Sequence, residues 1–401
     1  MSLHHSPEKK YMVHFEKYND TNIVFGEGAF DQLGTELLLE RCCSVCFVFG
    51  GMKTAMANGT YRDFVSLTSR LRIENRAVYD IPPEPDTDDV RRLVSAFEEE
   101  QPQFIVAVGG GSVMDAAKAA CLSWQTGLDV TELFGMDVSA RKFPGKTFRR
   151  VICIPTTAGT GSEVTPYANI VDREKNVKCL IMDRQIVPSI ALVDPTFCAT
   201  MPESLTVTTA LDALVHALES FLNLRTKNAP EESGEWALEA VRLIVYALPR
   251  VLNDPAAPLE REMLSAAALL GGMCIKARPT SLPHLCSFSL YGKVPHGRAV
   301  AAFLPPFWRY YLGENAIREQ TMRLAGIFGA SAQNTPEGIV DSCEAFIRRF
   351  TPPMPLTPDE IRKIAADALK NPVKLESAPR KIAPDEAESV ISNILSKAFS
   401  A

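Results

Sequence analysis

The sequence predicts an α/β domain with a parallel sheet and helices on both faces, followed by an all-α domain. Three observations support this fold class. The 401 residues exceed what one hydrophobic core usually organises. Short apolar runs alternate with longer helical patterns between residues 11 and 200. From residue 201 to 401 the apolar residues recur every three or four positions, which is the periodicity of packed helices.

In the first half, apolar runs that predict strands are separated by segments with helical spacing. The predicted strands are CSVCFVFG, RAVYDI, FIVAVG and VICIP, and the predicted helices include YRDFVSLTSRLR and TDDVRRLVSAFEEE. FIVAVG and VICIP are apolar throughout, as expected of strands buried on both faces. CLIMD and IVPSIALVD end this half, and turn signals at Asp194-Pro195 and Met201-Pro202 place the domain boundary near residue 200.

In the second half, six segments carry apolar residues at helical spacing. They are SLTVTTALDALVHALESFL, GEWALEAVRLIVYALPRVL, EREMLSAAALLGGMCIKA, TMRLAGIFG, EGIVDSCEAFIRRF and ESVISNILSKAFS. Residues 1–10 are polar, and we treat them as a tail that is either disordered or left from expression.

Composition and charge exclude several classes of function. The 42 Lys+Arg and 48 Asp+Glu give a net charge of -6, so a nucleic-acid partner is not expected. No apolar stretch approaches the roughly 18 residues of a spanning helix, so membrane insertion is not expected either. Ten scattered cysteines without a recognisable signal peptide favour reduced thiols and a cytoplasmic location.

A glycine-rich turn joins a predicted strand to a predicted helix in FIVAVGGGSVMDAAKAA. Gly109, Gly110 and Gly111 carry no side chain, so the backbone can approach a phosphate closely. The helix that opens at Ser112 would add free N–H groups and its positive end. A turn that is merely tight is the alternative. The spacing is not G-x-G-x-x-G, which argues against an ordinary Rossmann domain.

The loop IPTTAGTGSEVTPY comes directly after the next predicted strand. Its threonines, serine and glycines supply hydroxyl and amide donors for a polar ligand such as a nucleotide base and ribose. A solvated Thr/Gly loop is the alternative. Its position after a parallel strand favours the ligand, because open α/β sheets bind ligands at that edge.

Histidine is scarce, and its distribution is uneven. Three of the six histidines lie in the first fourteen residues, and the others are His216, His284 and His296. Asp212 and His216 are four residues apart in an apolar predicted helix, so they share one face. Any one of these histidines is more often a satisfied core residue than a ligand. An aspartate on that face is costly unless it is paired or metal-bound, and one carboxylate with three imidazoles suits Fe(II) or Zn(II).

Together these motifs resemble the iron-containing (group III) alcohol dehydrogenase family over nearly the whole chain. The matching motifs are FGEG, GGGSVMDAAK, PTTAGTGSEVT, DALVHALES, PHG and FLP. The resemblance implies a dinucleotide-binding domain at 11–200 and a metal- and substrate-binding domain at 201–401, the architecture of dehydroquinate-synthase-like enzymes. It implies that an alcohol and an aldehyde or ketone are interconverted by hydride transfer with NAD(P)(H), with the metal as Lewis acid. It also implies a homodimer.

The resemblance assigns roles by position. The implied metal ligands are Asp212, His216, His284 and His296, with Fe²⁺ as the first expectation and Zn²⁺ as the alternative. The implied cofactor-binding residues are Gly109, Gly110, Gly111 and Ser112 at the pyrophosphate, Asp115 beside them, Thr156, Thr157 and Ser162 at the adenine and ribose, and Lys178.

Two departures from the family pattern affect the expected chemistry. Many members carry a histidine implicated in proton transfer where this chain has Phe288, so the proton would pass through water or the cofactor ribose. NAD-preferring members usually carry an aspartate after the strand CFVF, where this chain has Gly50 and Gly51, followed by Lys53. Glycines remove the repulsion of a 2′-phosphate and Lys53 would add a counter-charge, so we predict a preference for NADP(H) over NAD(H).

Three alternatives stay open at this point. TSLPHLCSF resembles a branch that reduces phosphonoacetaldehyde, in which Lys276 and Arg278 would meet the anionic group, although a solvated helix end explains them equally well. A metal- and NAD-dependent lyase or cyclase with no net redox would need several basic and amide side chains at the metal, and the sequence offers few near the ligands. A non-enzymatic nucleotide-binding protein would need a degraded ligand set.

Overall fold

The computed structural model describes residues 17–18, 20–175, 177–329 and 335–399. The predicted tail at 1–10 and the N-terminal histidines lie outside these residues. All ten cysteines are described, and all are free. Cys43 and Cys46 have the spacing C-x-x-C, but Cys46 is buried whereas Cys43 is exposed, so the two thiols do not face one common site.

The first half is built on a seven-stranded sheet. The described strands are β1 (Lys17–Tyr18), β2 (Thr21–Phe25), β3 (Ser44–Phe49), β4 (Glu74–Val78), β5 (Phe104–Gly109), β6 (Gly135–Met136), β7 (Ile152–Pro155), β8 (Tyr167–Asp172), β9 (Val177–Met182) and β10 (Ile190–Val193). The sheet order is β1-β2-β10-β7-β5-β3-β4, and all its neighbouring pairs are parallel except β1 with β2. CLIMD belongs to a separate sheet, β6-β9-β8, in which β8 and β9 are antiparallel.

Helices cover both faces of the large sheet, which confirms the predicted fold class. They are α1 (Asp31–Leu39), α2 (Met52–Ala57), α3 (Thr60–Leu71), α4 (Thr87–Glu100), α5 (Gly111–Thr126) and α6 (Val138–Lys142). In β5, Val106 and Val108 pack with residues of α1 and α3, whereas Ile105 and Ala107 pack with residues of α4 and α5. This double burial explains why the strand sequence is apolar throughout.

The second half is helical throughout its described residues. Its helices are α7 (Glu203–Leu222), α8 (Ser233–Asn253), α9 (Pro258–Ala277), α10 (Leu282–Ser287), α11 (His296–Tyr311), α12 (Asn315–Met322), α13 (Pro336–Arg348), α14 (Pro358–Ala368), α15 (Pro372–Glu376) and α16 (Ala387–Phe399). Among the described helices, α7 alone is long and apolar enough to be a candidate membrane span, and 83% of its apolar window is buried inside the protein. It is therefore a core helix, with α8, α9 and α11 packed around it.

Several helical segments of the second half differ from the sequence prediction. The prediction of a helix over TMRLAGIFG is wrong beyond Met322, because the following turns place Gly326 and Gly329 at φ +82° and +115°. The pattern also missed α10, α14, α15 and the long helix α11, which contains Pro305 and Pro306. Prolines normally end a helix, so the apolar spacing of this segment did not predict one.

The strand order creates a crevice at one edge of the sheet. The chain runs from β3 outward to β4 and then returns to place β5 on the opposite side of β3. Ligands of open α/β sheets bind at such a switch point, outside the carboxyl ends of the strands. Here those ends lead directly into Gly50 and Gly51 after β3, and into Gly110 and Gly111 after β5.

Candidate active site

A cavity of about 940 Å³ lies at this switch point, between the sheet and the helical half. Its wall includes the glycines that follow β3 and β5, the threonine-rich loop after β7, and residues of α7, α10, α11 and α15. The cavity therefore joins the candidate cofactor residues to the candidate metal ligands.

Close packing around the turn after β5 requires glycine at two of its positions. A Cβ on Gly109 would lie 2.5 Å from Val113 Cγ2, and a Cβ on Gly111 would lie 2.5 Å from Thr160 Cγ2. No side chain fits at either position without a shift of its neighbours. Helix α5 begins at Gly111, one residue earlier than predicted, and Gly111 and Ser112 line the cavity. The positive end of a 16-residue helix thus faces the cavity, which suits a phosphate.

The threonine-rich loop also borders the cavity. Thr156, Thr157, Ser162 and Asp115 all line it. The hydroxyl of Ser162 donates to Asp115 Oδ1 at 2.5 Å, and the backbone N–H of Asn169 donates to Asp115 Oδ2 at 2.8 Å. Because both carboxylate oxygens accept hydrogen bonds within the protein, Asp115 holds the loop in place as well as bordering the cavity.

The residues predicted to select the cofactor are only partly brought together. Gly50 and Gly51 line the cavity, whereas Lys53 is exposed on α2 and does not line it. The predicted counter-charge at Lys53 is therefore not present in the cavity wall. Lys178 does line the cavity, and its Nζ lies 3.4 Å from Glu84 Oε1.

Three helices bring the four candidate metal ligands together around one carboxylate oxygen. Asp212 and His216 lie on α7, His284 lies on α10 and His296 is the first residue of α11. The Nε2 atoms of His284 and His296 each lie 3.5 Å from Asp212 Oδ1, and that of His216 lies 3.8 Å away. A Cβ on Gly297 would lie 1.8 Å from the Thr208 carbonyl oxygen, so glycine allows α11 to meet α7 at this point.

The donor set fits a divalent metal ion. Asp212 Oδ1 and His284 Nε2 are buried without a hydrogen-bond partner among the described residues, and such atoms are costly unless something binds them. In a tetrahedral site with bonds of about 2.1 Å, donor atoms are roughly 3.4 Å apart, close to the 3.5 Å from Asp212 Oδ1 to His284 and to His296. The ligand atoms of these three residues all lie within 4.8 Å of one another, whereas His216, 3.8 Å from Asp212 Oδ1, is not part of that group. One carboxylate with three imidazoles suits Fe(II) or Zn(II).

Burial and neighbouring charges shift the pKa values of these four groups, which affects how they bind a cation. Burial lowers the pKa of His216 to about 4 and the pKa of His296 well below its ordinary value, so both rings are neutral near pH 7. Burial alone would raise the pKa of Asp212, but the neighbouring histidines hold it below its ordinary value. Burial alone would lower the pKa of His284, but Glu219 and Asp212 raise it above its ordinary value. The cluster therefore offers one carboxylate, two neutral imidazoles and a third imidazole that must release a proton when a cation binds.

A fifth residue, Glu219, orients one of the histidines. It lies on α7 with its side chain fully buried, and its Oε2 accepts a hydrogen bond from His284 Nδ1. Its Oε1 accepts from the backbone N–H of Ser281 at 2.7 Å and from the Ser281 hydroxyl at 3.0 Å. A proton on His284 Nδ1 leaves Nε2 with a lone pair directed at the cluster.

The basic residues of the cavity differ from those that the sequence suggested. Lys276 and Arg278 do not line it, so the structure does not support their proposed role with an anionic substrate group. Lys178, Lys293 and Lys374 do line it. The sequence suggested that few basic side chains lie near the ligands. Three lysines line the same cavity, so that expectation is wrong.

Sequence reasoning missed two residues of this site. Glu219 carried a signal, because it follows His216 by three residues and thus lies on the same face of α7. Lys374 carried none, because it lies on the five-residue helix α15, far along the chain from the candidate metal ligands and cofactor residues.

The fold and the site together are typical of one class of protein, in which an α/β half suited to a dinucleotide faces a helical half with a candidate metal site. The chain belongs to the iron-containing alcohol dehydrogenase family. The family model "Iron-containing alcohol dehydrogenase" matches residues 20–195, and "Fe-containing alcohol dehydrogenase family, C-terminal" matches residues 206–398.

Individual relatives agree with this assignment. Aldehyde-alcohol dehydrogenase 2 from Entamoeba histolytica is 35% identical over 248 residues, which cover 59% of this chain and 28% of that protein. The NAD-dependent methanol dehydrogenase of Bacillus methanolicus is 27% identical over 389 residues, covering 93% and 97%. The solved iron-containing alcohol dehydrogenase of Thermotoga maritima is 27% identical with a TM-score of 0.80, covering 96% and 99%. The chain spans only 28% to 37% of the aldehyde-alcohol dehydrogenases that it matches.

Proposed function

We propose that this protein interconverts an alcohol and an aldehyde or ketone by hydride exchange with NADP(H), beside a divalent metal. The proposed ligands are Asp212, His216, His284 and His296, with Fe²⁺ expected and Zn²⁺ the alternative. The observation that carries the proposal is the single cavity that is lined both by the glycine turn after β5 and by the carboxylate–histidine cluster.

The protein's contribution to such a reaction is orientation, charge and exclusion of water. When bound, the metal supplies a Lewis acid for the substrate oxygen and the nicotinamide carries the hydride. Glu219 fixes the ring of His284, and Ser287 Oγ lies 3.3 Å from His296 Nδ1, which orients the second ring. Phe288 lines the cavity and carries no group that can transfer a proton, so we keep the prediction that the proton passes through water or the cofactor ribose.

The two glycines after β3 support the preference for NADP(H). Gly50 and Gly51 line the cavity without a carboxylate, so a 2′-phosphate would meet no repulsion from either residue. Lys53 no longer supports the preference, because it lies outside the cavity wall. The Bacillus relative is named NAD-dependent, so the preference is proposed for this chain alone.

The cofactor proposal is tested with Gly51→Asp. An added Cβ at Gly51 meets no atom within 4 Å, and its φ of -91° suits any residue, so the variant is expected to fold. The new carboxylate should lower kcat/KM for NADPH relative to NADH by about 10-fold or more through charge repulsion. Gly51→Asn is the neutral control. A wild-type protein that prefers NADH would contradict the proposal.

The reaction and the metal are tested together. Elemental analysis of the isolated protein should find about one Fe or Zn per chain, and a panel of aldehydes should oxidise NADPH with net formation of alcohol. Asp212→Ala should lose the metal and turnover, yet still bind nucleotide, because Asp212 lies on α7 in the helical half. Full turnover in a metal-free Asp212→Ala protein would refute the ligand assignment.

The same panel separates the lyase or cyclase alternative. The sequence argued against a lyase or cyclase because basic side chains near the ligands were few, but three lysines line the cavity. The two functions are therefore distinguished by whether the nicotinamide is consumed. Stoichiometric consumption of NADPH supports the oxidoreductase, whereas turnover of a phosphorylated sugar without net change in nicotinamide would support the alternative.

A further inference from the structure

One ammonium group of the cavity lacks an anionic partner. Lys178 Nζ is 3.4 Å from Glu84 Oε1, and Lys293 Nζ is 3.1 Å from Glu360 Oε1. Lys374 instead donates to the Thr280 hydroxyl at 2.8 Å, and in the described part of the chain it forms no ion pair with an aspartate or glutamate. Of the three lysines that line the cavity, Lys374 is thus the unpaired one.

The position of Lys374 is on the metal side of the cavity. Its Nζ lies 5.1 Å from the centroid of the Phe288 ring, and that ring lies 6.5 Å from the ring of His296. Thr280 immediately precedes Ser281, which donates to Glu219 behind His284. The ammonium therefore shares a wall with the candidate ligands, on the helical half, whereas the glycines suited to the cofactor phosphates follow strands of the α/β half.

The local structure holds this lysine in place. The Ser377 hydroxyl donates to the backbone carbonyl oxygens of both Thr280 and Lys374, at 3.0 and 2.7 Å. Ser377 and Thr280 line the cavity beside the ammonium. The Ser377 hydroxyl is used in these bonds, but the Lys374 ammonium has further N–H groups and the Thr280 hydroxyl accepts from it and keeps its own hydrogen, so these two groups are donors that suit an oxyanion.

Burial of the ammonium makes such a partner energetically favourable. A cation that is partly removed from water without a counter-ion is destabilised, and an anion bound beside it recovers part of that free energy. Burial lowers the pKa of Lys374 to about 8, even though the carboxylates of Glu219 and Asp212 act in the opposite direction, and the charge of Lys178 adds to the lowering.

We propose that Lys374 binds the anionic group of the substrate, and that the preferred substrates are small aldehydes or alcohols that carry a carboxylate, sulfonate or phosphonate. The carbonyl or hydroxyl oxygen of such a molecule would lie at the metal cluster, and its anionic group would lie past Phe288 at Lys374. This substrate class rests on the proposed oxidoreductase function and replaces the suggestion from Lys276 and Arg278 with a residue in the cavity.

Steady-state reduction of sulfoacetaldehyde, phosphonoacetaldehyde and neutral butanal by the metal-loaded enzyme tests the proposal. In the wild type, kcat/KM should be higher for the two anionic aldehydes than for butanal. Lys374→Gln should lower the anionic-to-neutral ratio of kcat/KM by roughly 10- to 100-fold, the effect expected from losing one charged hydrogen bond. Lys374→Arg should restore most of that ratio, because it restores the charge.

Lys293→Gln is the matched control, because Lys293 lines the same cavity but is paired with Glu360. It should leave the anionic-to-neutral ratio unchanged. Equal losses on butanal and on the anionic aldehydes in Lys374→Gln would overturn the proposal, because a proton donor or a structural residue affects both alike. An unchanged ratio would also overturn it.

A second measurement uses the unmodified protein. Ethylphosphonate lacks a carbonyl and should inhibit butanal reduction competitively against butanal and not against NADPH. No inhibition, or competition with NADPH alone, would contradict a substrate-side anion site. The proposed oxidoreductase activity fails if no aldehyde, anionic or neutral, is reduced with either nicotinamide, so the two failures are distinguishable.

Discussion

The buried carboxylate of Glu219 gives the sharpest test of how the metal cluster is organised, through the variant Glu219→Gln. The glutamate accepts hydrogen bonds from the backbone N–H and hydroxyl of Ser281 and from His284 Nδ1. A glutamine can still accept from Ser281 through its carbonyl oxygen, but its amide NH₂ then faces His284 and can only donate. His284 must respond by moving its proton to Nε2, which removes the lone pair that faces Asp212.

The expected magnitude depends on this change of tautomer. Loss of a hydrogen-bond partner behind a metal-binding histidine typically lowers metal affinity by about 10- to 100-fold. We expect the upper end, because the Glu219 side chain is fully buried and no water can replace it. At 1.4 kcal/mol per factor of ten, this corresponds to about 1.4 to 2.8 kcal/mol of binding free energy.

Competition between the apo-protein and a chelating dye for Zn²⁺ or Co²⁺ measures this affinity directly. Glu239→Gln is the control, because Glu239 is also a buried helical carboxylate but does not line the cavity. Circular dichroism of both apo-proteins shows whether they are folded. If folded Glu219→Gln binds the metal within about threefold of wild type, Glu219 does not orient His284 and the argument is wrong.

Two further predictions concern the glycine turn and the pH dependence. Gly111→Ala places a Cβ 2.5 Å from Thr160 Cγ2, so it should lower stability by about 1 to 3 kcal/mol and abolish NADPH binding measured by fluorescence, whereas Gly51→Ala should do neither. Burial lowers the pKa of Lys374 to about 8, with Lys178 lowering and Glu219 raising it, so the charged form is lost above that pH. KM for sulfoacetaldehyde should therefore rise above pH 8 more steeply than KM for butanal, and parallel profiles would contradict this.

The cofactor half of the site could be predicted because its signals are local in sequence. A strand, three glycines and a helix succeed one another without interruption, so Gly109 to Ser112 had to lie at the edge of the sheet. The same holds for Asp212 and His216, whose spacing places them on one face of α7. Helical spacing could also have predicted Glu219, because a third polar residue on an apolar helix face is costly unless it has a hydrogen-bonding partner.

The substrate side of the site could not be predicted, because nearness in sequence to a ligand does not place a side chain in the cavity. Lys276 and Arg278 precede His284 closely, yet the cavity is lined by Ile275 and Pro279 on either side of them. At this helix end, the neighbouring side chains leave the backbone in different directions. Lys374 reaches the cavity only because α15 packs beside α10, a tertiary contact with no sequence pattern of its own.

The two halves of the site must also be held at a fixed separation, because hydride transfer requires its reacting atoms to be about 3 to 3.5 Å apart. Close backbone contacts provide this. A Cβ on Gly161 would lie 2.4 Å from the Cα of Gly272, so the loop that carries Ser162 meets helix α9 backbone to backbone. Gly297 makes the equivalent approach to Thr208, directly beside His296. A side chain at Gly161 or Gly297 would push these elements apart and change the distance between the cofactor residues and the metal ligands. The two glycines therefore set the geometry of the site although they contribute no side chain to the reaction.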